Sequence, residues 1–226
     1  MKDTLTEKPD SWAGMYQNPW ASRRIQLAVQ MARPWLSPGT KVVEYGCYTQ
    51  HLKQFLPADV QYQGIDQQSY GQPLTWVMDF DRELTQPLVK GQVIFCLETL
   101  EHLKFPTDFL FRLLGATEPG GRLIVSLPNE ATLFHRLRGL TGVVDPMVFE
   151  IGKHLHLPSI WQTLTWLKKY AVVEHWMPYT DLSAAHSTHP WLGPMMRGIP
   201  EGVWNLGAAW WPSGLARGAV YRLRQK

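Results

Sequence analysis

Two cysteines, Cys47 and Cys96, are all that this 226-residue chain contains, too few for a disulfide framework. A chain so poor in cysteine suits a reducing compartment, and the expected location is the cytoplasm. No run reaches the ~20 uninterrupted apolar residues that a membrane-spanning helix needs. The polar start, Met1 to Asp10, also lacks the apolar stretch of a signal peptide. Charge of one sign is scarce too. The net charge is only +3, and the densest basic stretches, Arg136 to Arg138 and Arg217 to Arg224, are too thin for a nucleic-acid footprint. No nucleic-acid partner is therefore indicated. Repeats and low-complexity tracts are missing as well, so the 45% of hydrophobic residues belongs to one globular core.

Apolar side chains recur at helical spacing from Trp20 to Arg33 (Ile25, Ala28, Val29, Met31, Ala32), which predicts a helix ended by Pro34. Lys41 to Gly46 reads as a short buried strand, followed by a helix over 49–55 that Pro57 closes. Val60 to Ile65 is the second strand, with Asp66 at its carboxyl end, and Leu74 to Met78 the third, with Asp79 at its end. From Val93 to Leu97 the apolar run is unbroken, the pattern of a strand buried on both faces. Phe105 to Thr117 has helical periodicity, and Pro119-Gly120-Gly121 is a turn into the strand Arg122 to Leu127. A short helix is expected over Leu133 to Leu140. Ser159 and Gln162 have capping-box spacing at the start of a helix over Ile160 to Tyr170. Ala171 to Met177 and Gly218 to Arg224 are the last two strands, with Pro- and Gly-punctuated sequence between them.

Strands alternating with helices predict an α/β fold: a Rossmann-like, doubly wound, mostly parallel seven-stranded sheet with helices on both faces. The expected organisation is one domain over 1–226, with an N-terminal arm at 1–19 and a Trp-rich insertion or lid at 178–214. Right-handed crossovers put the strand carboxyl ends on one edge, where ligands bind. Seven of the tryptophans (Trp161, Trp166, Trp176, Trp191, Trp204, Trp210, Trp211) lie in the last third. Such rings pack a core, cover an apolar substrate at the active edge, or contact a membrane surface peripherally.

Val42-Val43-Glu44-Tyr45-Gly46-Cys47 resembles the first motif of class I S-adenosylmethionine-dependent methyltransferases, an acidic residue ending strand one before a glycine-rich turn. Gly64-Ile65-Asp66 resembles the second motif. The segment from Phe95 to Leu103, which includes Glu98, Glu101 and His102, is similar to the fourth-strand motif of the methyltransferases that act on small molecules. Glu118 to Asn129 matches their turn and fifth strand, and His154-Leu155-His156-Leu157 the segment that follows. The resemblance implies S-adenosylmethionine as cofactor and a small-molecule acceptor. It also implies a binding set of Glu44, Tyr45, Gly46, Cys47, Asp66, Gln67, Asp79, Phe80, Leu97 and Glu98. In that set Asp66 accepts from the ribose hydroxyls, Gly46 lets the backbone approach the methionine part, and Asp79 lies near the adenine amino group.

Two positions depart from that pattern: Tyr48 and Gln50 stand where the second and third glycines are expected. This admits a second reading, a methyltransferase-like module that binds or assembles without turnover. His102 is either a general base or a residue that positions its neighbours. His154 and His156 share one side of an extended segment, but no cysteine or carboxylate cluster stands nearby in sequence to complete a site, and no metal is expected. Ser126 lacks the flanking glycines of a nucleophile elbow.

Overall fold

The computed structural model describes residues 19–82, 87–140, 154–156, 158–180 and 201–226. The N-terminal arm before Pro19, the linker at 141–153 and the part of the Trp-rich stretch at 181–200, with Trp191, lie outside the described residues. Among these, β1 (Lys41–Tyr45), β2 (Gln61–Asp66), β3 (Trp76–Val77), β4 (Gly91–Leu97), β5 (Thr117–Pro128), β6 (Val172–Tyr179) and β7 (Gly218–Arg224) form one sheet. Their order is β3-β2-β1-β4-β5-β7-β6. The first five strands pair in parallel, and β7 runs antiparallel to both β5 and β6.

Alternation along the central strands divides the core. Val42, Val93, Phe95 and Leu97 face α1 (Pro19–Ala32), which buries Ile25, Leu27, Ala28 and Met31 against them. Val43, Tyr45, Ile94 and Cys96 face the other way. They meet α2 (Pro106–Ala116) through Phe109, Leu110 and Leu113. After the short α3 (Leu133–Leu140), α4 (Ile160–Tyr170) adds Leu164 and Leu167 to the same cluster. Each large side chain so buried is worth about 1.5–3 kcal/mol of transfer free energy, and a one-residue slip in register would turn that whole set to the opposite face. From β1 the chain winds outward to β2 and β3, then crosses to β4 on the other side. The carboxyl ends of β1 and β4 thus flank the crevice where strand order reverses.

The doubly wound sheet and the helices on both faces agree with the expectation, and the capping box is formed. Ser159 Oγ accepts from Gln162 N (3.2 Å), and Gln162 Oε1 accepts from Ser159 N (2.9 Å). Four local expectations are corrected. The segment after β1 is a 3₁₀ turn, His51–Phe55, because a left-handed Gln50 before it and Pro57 beyond it leave no room for an α-helix. The third strand shrinks to Trp76–Val77, a two-residue edge pairing with Ile65 and Asp66. Pro119-Gly120-Gly121 lies inside β5 as a bulge, since Thr117 pairs with Gly91 and Arg122 with Val93. Finally, the Pro- and Gly-punctuated stretch holds two helices, α5 (Glu201–Trp210) and α6 (Pro212–Leu215). Docking decides that last point, because Asn129 at the end of β5 donates to the carbonyls of Pro212, Ser213 and Ala216.

Candidate functional site

β1 delivers the chain into a tight turn at the crevice. Gly46 has φ +77°, and a Cβ there would stand 2.1 Å from Thr99 Oγ1. Tyr48 and Gln50 have φ 45° and 57°. The two residues that replace the expected glycines therefore keep the left-handed backbone that glycine would adopt, at a cost of about 1–2 kcal/mol each. Hydrogen bonds hold the turn in this shape. Gly46 N and Cys47 N donate to Ile65 O (2.9 and 3.3 Å), and Gln50 N donates to Cys47 O (2.6 Å). Tyr48 N donates to Asp66 Oδ2 (2.7 Å), and the Tyr48 ring packs against Tyr70, 4.2 Å between centroids. Gln50→Gly is expected to match or exceed the parent's stability by up to about 1 kcal/mol, the released strain offsetting the lost Gln50 bond to Pro73 O. A urea melt reads this, and a loss above 2 kcal/mol would show that the backbone is not strained there.

Asp66 closes β2 almost fully buried, its two oxygens held by Tyr48 N and by Gln67 N (2.7 Å). Burial nonetheless lifts its carboxyl above the usual range, against the lowering from those two bonds. Glu44, also buried, accepts from Tyr62 Oη at 2.5 Å. Burial pushes the Glu44 carboxyl from 4.5 up to about 8; the Tyr62 bond and Arg24 lower it, and Asp66 raises it. The native state therefore keeps a proton that the unfolded chain has already lost above pH 4.5. The contribution of Glu44 to stability falls as pH rises from about 4.5 to about 8. Glu44→Gln is expected to flatten that part of the profile by a few kcal/mol, read as the parent-minus-variant difference in melts from pH 5 to 9. Equal slopes in parent and variant would show that Glu44 is ionised in the folded state.

The remaining expected residues divide between site and core. Asp79 is exposed, accepts from Asp81 N (3.0 Å) and pairs with Arg82 (3.2 Å). Phe80 stacks on Phe109 at 4.8 Å and meets the edge of Tyr45 at 6.0 Å. The Tyr45 side chain is fully buried and donates to Val89 O (3.0 Å), so only its backbone borders the turn. Cys47 and Cys96 are buried free thiols, and burial pushes both far above the range in which a thiolate forms.

At the end of β4, Leu97 is buried and Glu98 has φ 49°. Glu98 Oε1 accepts from Ser126 Oγ (2.8 Å) and Tyr179 Oη (3.0 Å), and Arg24 of α1 lies 3.5 Å from Oε2. Arg24, Ser126 and Tyr179 thus form a polar cluster that sequence reading did not assemble. Three separate elements bring them together, and only the positions of Ser126 and Tyr179 near strand ends hint at it. Three residues on, Glu101 is fully buried. Burial first, and then the charge of Glu98, raise its carboxyl well above the usual range. His102 Nε2 and His154 Nε2 lie 3.9 and 4.0 Å from Glu101 Oε1. His154 and His156 do not act as a pair: His154 Nδ1 bonds Glu130 (2.8 Å), whereas His156 Nε2 bonds Leu103 O (2.9 Å).

The tryptophans divide as well. Trp166 and Trp176 pack against the core, while Trp161 and Trp210 are 53% and 88% exposed. On α5, Val203, Leu206 and Trp210 present an exposed apolar face. No helix among the described residues is long and apolar enough to cross a membrane.

Comparison with known proteins complements this geometry. A family model described as a methyltransferase domain matches residues 17–198. The mitochondrial ubiquinone biosynthesis O-methyltransferase of Schizosaccharomyces pombe is 45% identical over 63 residues, which is 27% of this chain and 23% of that protein. The chain thus matches less than a quarter of that relative's length. The N-methyltransferase NodS from Bradyrhizobium japonicum WM9, in complex with S-adenosyl-L-homocysteine, superimposes with a TM-score of 0.56 at 12% identity, covering 92% of this chain and 88% of that one. A chain in the complex of the Haloferax volcanii Trm112 methyltransferase activator with a methyltransferase gives 0.60 at 14% identity, covering 98% and 99%.

Proposed function

The chain belongs to the methyltransferase-domain family, with the fold and cofactor class of S-adenosylmethionine-dependent enzymes, and from that premise we propose that it methylates a small acceptor with an apolar body. The left-handed turn from Gly46 to Gln50, tied through Tyr48 N to Asp66, is the observation that carries this reading. The turn runs along the crevice at the end of β1, and Asp66 keeps lone pairs beyond its two backbone bonds. Tyr48 leans on Tyr70 in the loop after β2. The residues present therefore fit S-adenosylmethionine.

In this reading Gly46 and Cys47 border the methionine part, Asp66 and Gln67 the ribose, and Asp79 and Phe80 the adenine, with Leu97 and Glu98 along β4. Glu44 and Tyr45 support the turn from beneath. The cofactor supplies an electrophilic methyl group on sulfur. The protein's part is alignment: such a transfer needs an in-line nucleophile more than it needs a base. Glu98, fixed by Ser126, Tyr179 and Arg24, gives the acceptor end of the crevice a rigid polar wall. The exposed apolar face of α5 suits an acceptor with an apolar body, or a peripheral contact with the membrane in which such a molecule dissolves. The same reading places the chain in the cytoplasm, where buried free thiols stay reduced.

The test is release of S-adenosylhomocysteine from S-adenosylmethionine in the presence of apolar phenols, amines and carboxylic acids, with the methylated product identified by mass. Turnover with at least one class supports the enzyme. Cofactor binding without turnover on any of them favours the binding or assembly module that Tyr48 and Gln50 also admit.

A further inference from the structure

Glu101 has no evident reason to be where it is. Its carboxylate is fully buried, and among the described residues neither oxygen has a hydrogen-bond partner. Leaving a buried carboxylate unsatisfied is costly, and sequences avoid it unless something compensates. Two imidazoles face it. His102 Nε2 is 3.9 Å and His154 Nε2 4.0 Å from Oε1, too far for a hydrogen bond. The ligand-capable atoms of all three residues lie within 4.8 Å of one another. Three atoms so spaced share a point no more than about 2.5 Å from each, within a few tenths of an ångström of the ~2.0–2.2 Å of first-row metal bonds to imidazole and carboxylate.

The surroundings are built for such a point. His154 Nδ1 is hydrogen-bonded to Glu130 Oε1 at 2.8 Å, an arrangement that puts the proton on Nδ1 and leaves the Nε2 lone pair aimed at Glu101. Glu130 is itself steadied by His135, whose Nδ1 lies 2.9 Å from the Glu130 carbonyl and 3.4 Å from Oε2. The backbone joins the two halves: Leu155 N and His156 N both donate to the Glu101 carbonyl, at 2.8 and 3.1 Å. Ligands 52 residues apart in sequence are thereby locked in one place.

The geometry points to a binding site for one divalent first-row transition-metal ion, held by Glu101, His102 and His154, with Glu130 orienting His154. Two imidazoles and one carboxylate suit zinc or iron over calcium or magnesium. Three protein ligands leave coordination positions open. The site is independent of the methyl-transfer reading, because its test measures the metal alone.

Untagged full-length protein, stripped with a chelator, is titrated with Co²⁺ while its visible d–d absorption is followed, and then with Zn²⁺ in competition. One equivalent of Co²⁺ is expected to bind with ligand-field bands and to be displaced by Zn²⁺. His102→Ala and His154→Ala should each lose at least tenfold in affinity, and Glu130→Gln roughly 10- to 100-fold. His156→Ala, outside the cluster, should bind as the parent does. Glu101→Gln is read only if its circular dichroism shows a folded protein; the two histidine variants carry the test otherwise. No bands, or equal affinity in the parent and in a folded His102→Ala/His154→Ala double variant, would overturn the site.

Discussion

Gly46→Ala is expected to lower the unfolding midpoint by roughly 4–20 °C and to abolish cofactor binding. Two penalties add at this residue. An L-residue at φ +77° costs about 1–2 kcal/mol. The new methyl would also stand 2.1 Å from Thr99 Oγ1 and 2.8 Å from Thr99 Cγ2, and Thr99 is itself buried and bonded to Leu97 O. Overpacking of this kind costs about 1–3 kcal/mol, giving about 2–5 kcal/mol in all, with each kcal/mol worth about 2–4 °C at this chain length. The two parts separate experimentally. In Gly46→Ala/Thr99→Ala the clash with Oγ1 and Cγ2 disappears while the backbone strain remains, so the double variant should recover only part of the loss. A single variant as stable as the parent would mean that the turn does not pack on Thr99.

Asp66→Asn carries the second large effect, on binding more than on folding. The carboxylate accepts one backbone N–H on each oxygen, and an amide offers only one accepting oxygen. Either Tyr48 N or Gln67 N then loses its partner, and a ribose loses a charged acceptor. Hydrogen bonds to charged groups are worth about 1.5–3 kcal/mol, so affinity for S-adenosylhomocysteine should fall roughly 10- to 100-fold. Calorimetric titration gives the affinity, and a melt without ligand gives the stability separately. Unchanged affinity would remove Asp66 from the binding set.

The architecture was legible because periodicity and burial reinforce each other along the sheet. The run from Val93 to Leu97 reads as a doubly buried strand, and it is the central strand that meets helices on both faces. Ser159 and Gln162 announced their helix through a local bond that needs no tertiary context. Where tertiary contacts decide, sequence reading lost its grip. The helix after residue 200 exists within a stretch dense in Pro and Gly because its continuation is docked, with Asn129 holding the carbonyls from Pro212 to Ala216. At the site, the motif spacing located the turn and Asp66 but said nothing of the left-handed φ that Tyr48 and Gln50 retain. His154 was noticed for the wrong neighbour. Its partners are Glu101 and Glu130, each more than 20 residues away in sequence, whereas His156 bonds elsewhere.

Titration of S-adenosylhomocysteine and S-adenosylmethionine into the folded full-length protein tests the central claim most directly. One saturable equivalent is predicted, together with a rise of several degrees in the unfolding midpoint, since ligand at about 100 times its dissociation constant adds about 2.7 kcal/mol. No heat and no shift with either ligand, in protein that melts cooperatively, would contradict a cofactor site at the Gly46 turn.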